Sequence, residues 1–459
     1  MSALATLASF QQDHLLQFAA QLERDELAAF EQQLADIDFE LLHRLTKDEE
    51  ATVDWAALAT RAEPPIAVRG AEVDKNRDRA IEVGEAAIRS GRVGMILVAG
   101  GQGTRLGFDQ PKGLFPIGPL SDRTLFQMHC DRLLAVMQRY GVAIPLYVMT
   151  SPATDQETRE YFSKNDRCGL DEDLLTIFCQ GSMPAVDAES GKVLMASKSE
   201  IALSPDGHGG LVAALHKRGC LNDARARGIE HFYYVQVDNP MARICEPELI
   251  GFHILSESQM TTQVVKKRFA KEKVGNVVQI DGKTQIIEYS DLPDEIAEAT
   301  DSQGELKFWA GNIAIHVFQR EFLESVVDSA DGLPFHRAHK AVAHLDASGL
   351  LVKPAGPNAI KFERFIFDLL PLADTAMVVE ADAADVFAPV KNADGAAVDT
   401  PAHTKAAIVA QHRSWLQQAG VKIPPDVQVE IHPSWALDAT EVRAKVQSEL
   451  KIEADTYLR

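Results

Sequence analysis

Cysteine is scarce in this chain: five among 459 residues, Cys130, Cys168, Cys179, Cys220 and Cys245, with no CxxC pair. An odd number at wide spacing excludes a disulfide framework and a cysteine-based zinc site, and predicts reduced thiols in a cytoplasm. Long apolar runs are missing as well. None approaches the roughly 20 residues of a membrane-spanning helix. Positive charge is in deficit, with 46 Lys and Arg against 67 Asp and Glu and a net charge of −21. That balance argues against non-specific binding to nucleic acid or an anionic membrane. It leaves room for an anionic small substrate in a local basic pocket. Met1-Ser-Ala-Leu-Ala-Thr-Leu7 has neither a basic n-region nor a long apolar core, so no signal peptide is expected. Internal repeats and low-complexity tracts are also missing.

What remains is an ordinary globular composition, 46% apolar and 25% charged. The length exceeds one usual core, so two or three domains are expected. Residues from about 3 to 60 read as helix, with Leu15, Phe18, Leu22, Leu27, Phe30 and Leu34 recurring among charges. Glu63-Pro-Pro-Ile breaks the pattern, and 76–90 reads as a further helix. Strands are expected at 95–99, 145–150, 174–179 and 231–237, with helices at 124–140 and 152–162 between them. Such alternation predicts βαβ units and a largely parallel sheet. Further strands are expected near 260–268, 274–280, 284–289, 308–318 and 376–380, the Asp281-Gly282 turn making a hairpin. Residues 361–370 read as helix. From about Pro389 a small appendage follows, with a helix at 405–418 and a strand at 427–431.

The stretch Val93 to Gly113 carries the chemistry. An apolar run ends in Gly100, Gly101, Gly103 and Gly107, with Arg105 and Lys112 close by. Glycines after a buried strand let backbone N–H groups approach an anion. A P-loop needs GxxxxGK followed by Ser or Thr, but Lys112 stands in Pro111-Lys112-Gly113. A dinucleotide fingerprint needs GxGxxG, and Leu106 occupies the third glycine position. No acidic residue ends a plausible second strand either, which disfavours a dinucleotide-dependent oxidoreductase. The pattern present is GG-x-GTRLG, a three-residue spacer, then PKG, a nucleotidyltransferase pattern matched at every defined position.

With this motif the chain resembles the UDP-sugar pyrophosphorylase family of uridylyltransferases, within it the eukaryotic-type UDP-N-acetylhexosamine enzymes. The similarity runs from about residue 90 to about 395, and further blocks stand in the expected order: Gln180-Gly-Ser-Met-Pro184, Ser204-Pro-Asp-Gly207-His208-Gly-Gly210, Val237-Asp238-Asn239, Glu288-Tyr289-Ser290, Ala310-Gly311-Asn312, Pro357 to Asp368, and Phe387-Ala-Pro-Val-Lys391-Asn392. The resemblance implies an α/β fold with a central doubly wound mixed sheet (a Rossmann-like nucleotidyltransferase), flanked by helical N-terminal and small C-terminal domains. The divisions expected are 1–88, 89–387 for the catalytic domain, and 388–459. It implies transfer of a uridylyl group from UTP to a sugar 1-phosphate, N-acetylglucosamine or a related hexose, releasing pyrophosphate, with Mg²⁺ as cofactor.

The resemblance also implies roles. Arg105, Lys112 and Lys391 would be catalytic. Val98, Ala99, Gly100, Gly101, Lys112, Gln180, Gly207, Asp238 and Lys361 would hold UTP, with Gln180 on the uracil. His208, Glu288, Tyr289, Asn312, Phe365 and Lys391 would hold the sugar phosphate, and Asp238 the metal. Each has a plainer reading: Gln180 as a turn cap, Asp238 as a strand-end turn residue, Glu288 and Tyr289 as exposed hairpin residues, Asn312 as part of a bulge, Phe365 as core, and Lys361 and Lys391 as solvated lysines. The family usually has Asn where His208 stands, which leaves the sugar's 2-substituent open. The alternatives are a glucose- or galactose-type pyrophosphorylase and a non-catalytic sugar-nucleotide sensor. Retention of all the charged ligands, Arg105, Lys112, Asp238, Lys361 and Lys391, favours the enzyme.

Overall fold

The computed structural model describes residues 7–47, 55–328, 332–446 and 450–459. Its contacts cluster into two units. The smaller gathers Met1–Asp54, Gln180–Ala213 and Asp331–Asp368. The larger gathers Trp55–Cys179, Ala214–Ala330 and Leu369–Arg459.

The larger unit is built on one mixed sheet of ten strands, numbered here in chain order: β1 Ala67–Val68, β2 Val93–Val98, β3 Leu146–Thr150, β4 Leu175–Cys179, β5 His231–Gln236, β6 Met260–Lys266, β7 Gly275–Ile280, β8 Lys283–Ile287, β9 Ala310–Gln319 and β10 Ala376–Ala381. The spatial order is β1-β10-β6-β9-β5-β2-β3-β4, with β7 pairing β8 and β9. β5, β2, β3 and β4 run parallel, while β9 is antiparallel to both β6 and β5. The large central mixed sheet that the resemblance implies is present; the alternation alone predicted a largely parallel sheet, which holds for β5-β2-β3-β4 but not around β9.

The local reasons are plain. β2 lies between β5 and β3 and is buried on both faces, so its sequence is an unbroken apolar run. The helix Leu125–Tyr140 starts at a capping box: Thr124 Oγ1 accepts from Gln127 N at 3.2 Å, and Gln127 Oε1 accepts from Thr124 N at 3.0 Å. It stops at Gly141, whose φ of +64° only glycine adopts cheaply. The β7–β8 turn places Asp281 and Gly282 at φ +50° and +81°, as a two-residue type I′ hairpin needs. The helices Ala71–Arg89 and Pro247–Leu255 cross closely because Gly84 and Gly251 lack side chains; a Cβ on Gly251 would stand 1.7 Å from the Ala80 carbonyl oxygen. At the C-terminal end, the helix Pro401–Gln418 and a parallel pair, Val429–Ile431 with Thr456–Leu458, enclose a small core of Leu416, Val429, Val442 and Ile452.

The smaller unit packs Leu15, Phe18, Phe30, Leu34, Phe39 and Leu42 against Val186, Ile360 and Phe362. Its N-terminal stretch is helical only in pieces, short turns at Asp13–Leu16 and Ala19–Gln21 preceding helices Arg24–Ala35 and Phe39–Lys47. Parts of the expected 3–60 helix lie outside the described residues. One expectation is overturned. Residues 361–370 are not a helix: Ala359–Glu363 is a strand paired with His336–Lys340, followed by a 3-10 turn at Ile366–Leu372. Ile360 and Phe362 are buried while Lys361 and Glu363 are part-exposed, the period of two of a strand.

Candidate active site

In the larger unit the glycine loop leaves the carboxyl end of β2. Its entry is pinned on both sides: Val98 O accepts from Val237 N at 2.9 Å, Ala99 N donates to Met149 O at 2.8 Å, and Ser151 Oγ donates to Gly100 O at 2.7 Å. The N–H groups of Gly100 and Gly101 donate to no backbone carbonyl among the described residues. A Cβ on Gly101 would meet nothing within 4 Å. Two unpaired amides at the mouth of a loop are what an anion needs. The loop then folds back, Gly103 N to Gln110 O at 2.9 Å and Lys112 N to Gly101 O at 3.0 Å. That return carries the Lys112 ammonium to 3.5 Å from Asp238 Oδ2, both side chains being about one-sixth exposed, 17% and 16%. Arg105 is exposed and has no ion-pair or hydrogen-bond partner among the described residues.

Asp238 follows β5. A segment 150 residues further on straps it: Asn239 Nδ2 donates to Val386 O at 2.8 Å, Ala388 N to Asn239 Oδ1 at 3.2 Å, and Val390 N to Asp238 O at 2.8 Å. Lys391 therefore leaves the strap one residue after the bond to Asp238. Its ammonium lies 5.7 Å from the Phe387 ring and has no ionic partner among the described residues. Lys112, Asp238 and Lys391 are thus brought together by backbone bonds that no spacing in the sequence announces. Among the described residues no group of three or more His, Cys, Asp or Glu stands ready to hold a metal ion, so Asp238 offers a single carboxylate.

A second cluster lies where β7, β8 and β9 meet. Gly275 pairs with Asn312. A Cβ on Gly275 would stand 3.2 Å from Glu288 Oε1 and 3.7 Å from Asn312 Cβ, so these two side chains converge above it. Asn312 Oδ1 accepts from Ala314 N at 3.0 Å, holding a bulge in which Ala314 takes φ +54° and the β6–β9 register shifts. The bulge is real and falls just after Asn312. Tyr289 is 45% exposed.

In the smaller unit, Gln180 is buried and precedes Gly181, whose carbonyl accepts from Asp206 N at 3.2 Å. Gly207 has φ +82°, and a Cβ there would stand 2.3 Å from Arg364 O. The turn is tied to the Phe365 segment by Arg364 N to Asp206 O at 2.7 Å and Gly209 N to Arg364 O at 2.8 Å. Phe365 accordingly stands beside His208, ring centroids 5.4 Å apart, with Phe367 at 5.7 Å from His208. Burial, and then the neighbouring His336, hold His208 down to about 4, so its ring is neutral near pH 7. Ile366 N donates to His208 Nδ1 at 3.1 Å. An acceptor at Nδ1 puts the proton on Nε2. His208 is therefore a fixed one-proton donor through Nε2, where Asn would offer a donor and an acceptor. Lys361 sits on the strand Ala359–Glu363, opposite Ala338, and is not brought into this cluster by any hydrogen bond among the described residues.

Two residues were not singled out from the sequence. Asp206 is buried with Oδ1 lacking a partner, and burial lifts it to about 6 against the pull of Arg364. In Pro205-Asp206-Gly207 it reads simply as a turn former. Lys267, in the run Lys266-Lys267-Arg268, reads as a solvated charge yet is only 4% exposed.

A mixed sheet with an anion-ready glycine loop and an ammonium–carboxylate pair beyond the carboxyl ends of its parallel strands is the design of a nucleotidyltransferase. Comparison with known proteins agrees. The chain belongs to the UTP–glucose-1-phosphate uridylyltransferase family, whose model matches residues 38–451. It is 37% identical over 430 residues to UDP-N-acetylhexosamine pyrophosphorylase-like protein 1 of Mus musculus, covering 90% of this chain and 84% of that protein. It is 38% identical over 357 residues to the UDP-N-acetylglucosamine pyrophosphorylase of Saccharomyces cerevisiae, covering 76% of this chain and 75% of that protein. The crystal structure of the Trypanosoma brucei uridine diphosphate N-acetylglucosamine pyrophosphorylase in complex with inhibitor superposes with a TM-score of 0.84 at 26% identity, covering 100% of this chain and 98% of that one. No helix among the described residues is long and apolar enough to cross a membrane.

Proposed function

We propose that this chain joins UTP and a hexose 1-phosphate, preferentially N-acetylglucosamine 1-phosphate, into a UDP-sugar and pyrophosphate. The observation that carries the reading is the Lys112–Asp238 pair beside the unpaired amides of Gly100 and Gly101. The family and the named relatives supply the substrate class. The sugar phosphate oxygen attacks the α-phosphorus in line and pyrophosphate leaves, so no protein nucleophile is needed. Catalysis is alignment and neutralisation of charge. In this reading Val98, Ala99, Gly100 and Gly101 receive the triphosphate through the backbone. Arg105 and Lys112 hold it and stabilise the leaving group. Gln180 and Gly207 meet the uracil, Lys361 a UTP phosphate and Lys391 the attacking phosphate. Glu288, Tyr289, Asn312, His208 and Phe365 meet the sugar. The five free cysteines support a reducing, cytoplasmic setting.

Mg²⁺ fits the donor set. It takes one or two carboxylates and completes its shell with substrate oxygens and water, and Asp238 is such a single carboxylate. When bound, the ion supplies neutralisation of phosphate charge.

His208 favours one second reading. A fixed Nε2–H finds an acceptor on an acetamido carbonyl or on a plain 2-hydroxyl, so glucose 1-phosphate competes as a substrate. The test is pyrophosphate release from UTP and Mg²⁺ with glucose, galactose, N-acetylglucosamine and N-acetylgalactosamine 1-phosphates. Turnover is expected, fastest with an N-acetylated sugar. His208→Asn should widen that preference. No turnover across the panel refutes the enzyme reading, and an unchanged ranking removes His208 from the choice.

A further inference from the structure

Three cations stand at the end of β6, Lys266 closing the strand and Lys267 and Arg268 following it, and only the middle one turns inward. Lys266 is half exposed and pairs with Glu305, and Arg268 pairs with Glu272. Lys267 is buried, its backbone N donating to Trp309 O at 2.8 Å. A Cβ on Gly311 would stand 3.3 Å from Lys267 Cγ, so the stem runs beneath the residue before Asn312. The ammonium donates to Ala270 O at 3.0 Å and to Asn276 Oδ1 at 2.6 Å. An ammonium only donates, so it fixes the Asn276 amide with Oδ1 toward Lys267 and Nδ2 the other way. Nδ2 donates to Ile287 O at 3.2 Å. Ile287 O belongs to the peptide bond that leads into Glu288. A lysine just after β6 thus reaches, through one carboxamide on β7, the backbone that carries Glu288 immediately after β8, while its stem supports the backbone that carries Asn312 on β9.

We propose that Lys267 is a positioning residue for the sugar half of the site, setting Glu288 and Asn312 at their convergence over Gly275 through Asn276 and Ile287 O. The inference rests on the reading that Glu288 and Asn312 contact the sugar phosphate. Its cost argues for a purpose beyond packing. A buried ammonium is expensive, and an apolar side chain of the same length would fill the space more cheaply. Burial holds Lys267 down to about 8, opposed by Glu272. Glu272 is the nearby carboxylate, and it is itself engaged by Arg268 N at 2.7 Å.

Steady-state kinetics of the full chain with UTP and N-acetylglucosamine 1-phosphate test this. Lys267→Met should raise KM for the sugar phosphate by about tenfold and leave KM for UTP within about twofold. The double variant Lys267→Met/Asn276→Leu removes both buried polar partners, so it should regain thermal stability. Its sugar KM should stay raised, because Ile287 O still lacks the side-chain bond from Asn276 that orients it. A purely structural role predicts that KM recovers with stability, and that result overturns the inference. So does a normal sugar KM in either variant while Glu288→Gln raises it. Glu288→Gln with an unchanged sugar KM overturns instead the reading on which the inference stands.

Discussion

Replacing Lys112 by Met tests the chemistry at its centre. The Lys112 ammonium lies 3.5 Å from Asp238 Oδ2, with only 17% of its side chain exposed. At that separation and an effective dielectric near 20, a pair of unit charges interacts by about 5 kcal/mol before desolvation is counted. In the free enzyme that attraction is spent on Asp238. In the proposed transition state the same ammonium meets the charge gathering on the departing pyrophosphate. Losing one such preorganised contact costs about 3 kcal/mol, on the order of 100-fold in kcat. Ground-state binding should change little, because Lys112→Met also frees the Asp238 carboxylate for a cation carried by the triphosphate. The expected signature is a kcat lower by about two decades with KM for UTP within about threefold. The assay is pyrophosphate release at saturating sugar 1-phosphate and Mg²⁺, with uridine diphosphate binding measured alongside. A kcat within about threefold of the parent refutes the role of Lys112. A matched loss in uridine diphosphate affinity refutes the argument that it acts on the leaving group.

Two further outcomes concern stability. Gly251→Ala would place a Cβ 1.7 Å from the Ala80 carbonyl oxygen, backbone against backbone, so the helix Pro247–Leu255 must move off Ala71–Arg89. Overpacking of this kind costs about 1–3 kcal/mol, and a thermal melt identical to the parent's would contradict the crossing. Acid should also destabilise the fold. Burial holds His129 and His231 down to about 4 and His412 to about 3, below the 6.5 of an unfolded chain. Between those values the unfolded state binds more protons, so stability is full above pH 6.5 and is lost as the pH falls toward 4, by up to about 1.4 kcal/mol per pH unit for each histidine. Melting temperatures that hold level or rise from pH 6.5 to 4.5 would contradict this.

Much of the larger unit was legible because its signals are local. An unbroken apolar run marks a strand buried on both faces, as β2 shows. Thr124 with Gln127, Gly141, and Asp281-Gly282 mark ends and turns whose chemistry lies within four residues. The stretch 361–370 was misread as helix for the same reason. The pairing that makes Ala359–Glu363 a strand comes from His336–Lys340, a segment outside any local window.

By itself the sequence determined the glycine loop, its exclusion of a P-loop and a dinucleotide site, the uridylyltransferase kinship and the identity of the charged residues. Only the tertiary structure decided how they meet. It folded Lys112 back onto Asp238, strapped Lys391 to the same turn through Val390, and faced Glu288 with Asn312 over Gly275. It also turned Lys267 inward between two solvated cations and fixed the proton of His208 on Nε2. The physical reason is common to all of these. Residue type sets what a group can donate, accept or carry, but burial, partner and tautomer depend on atoms distant in the chain.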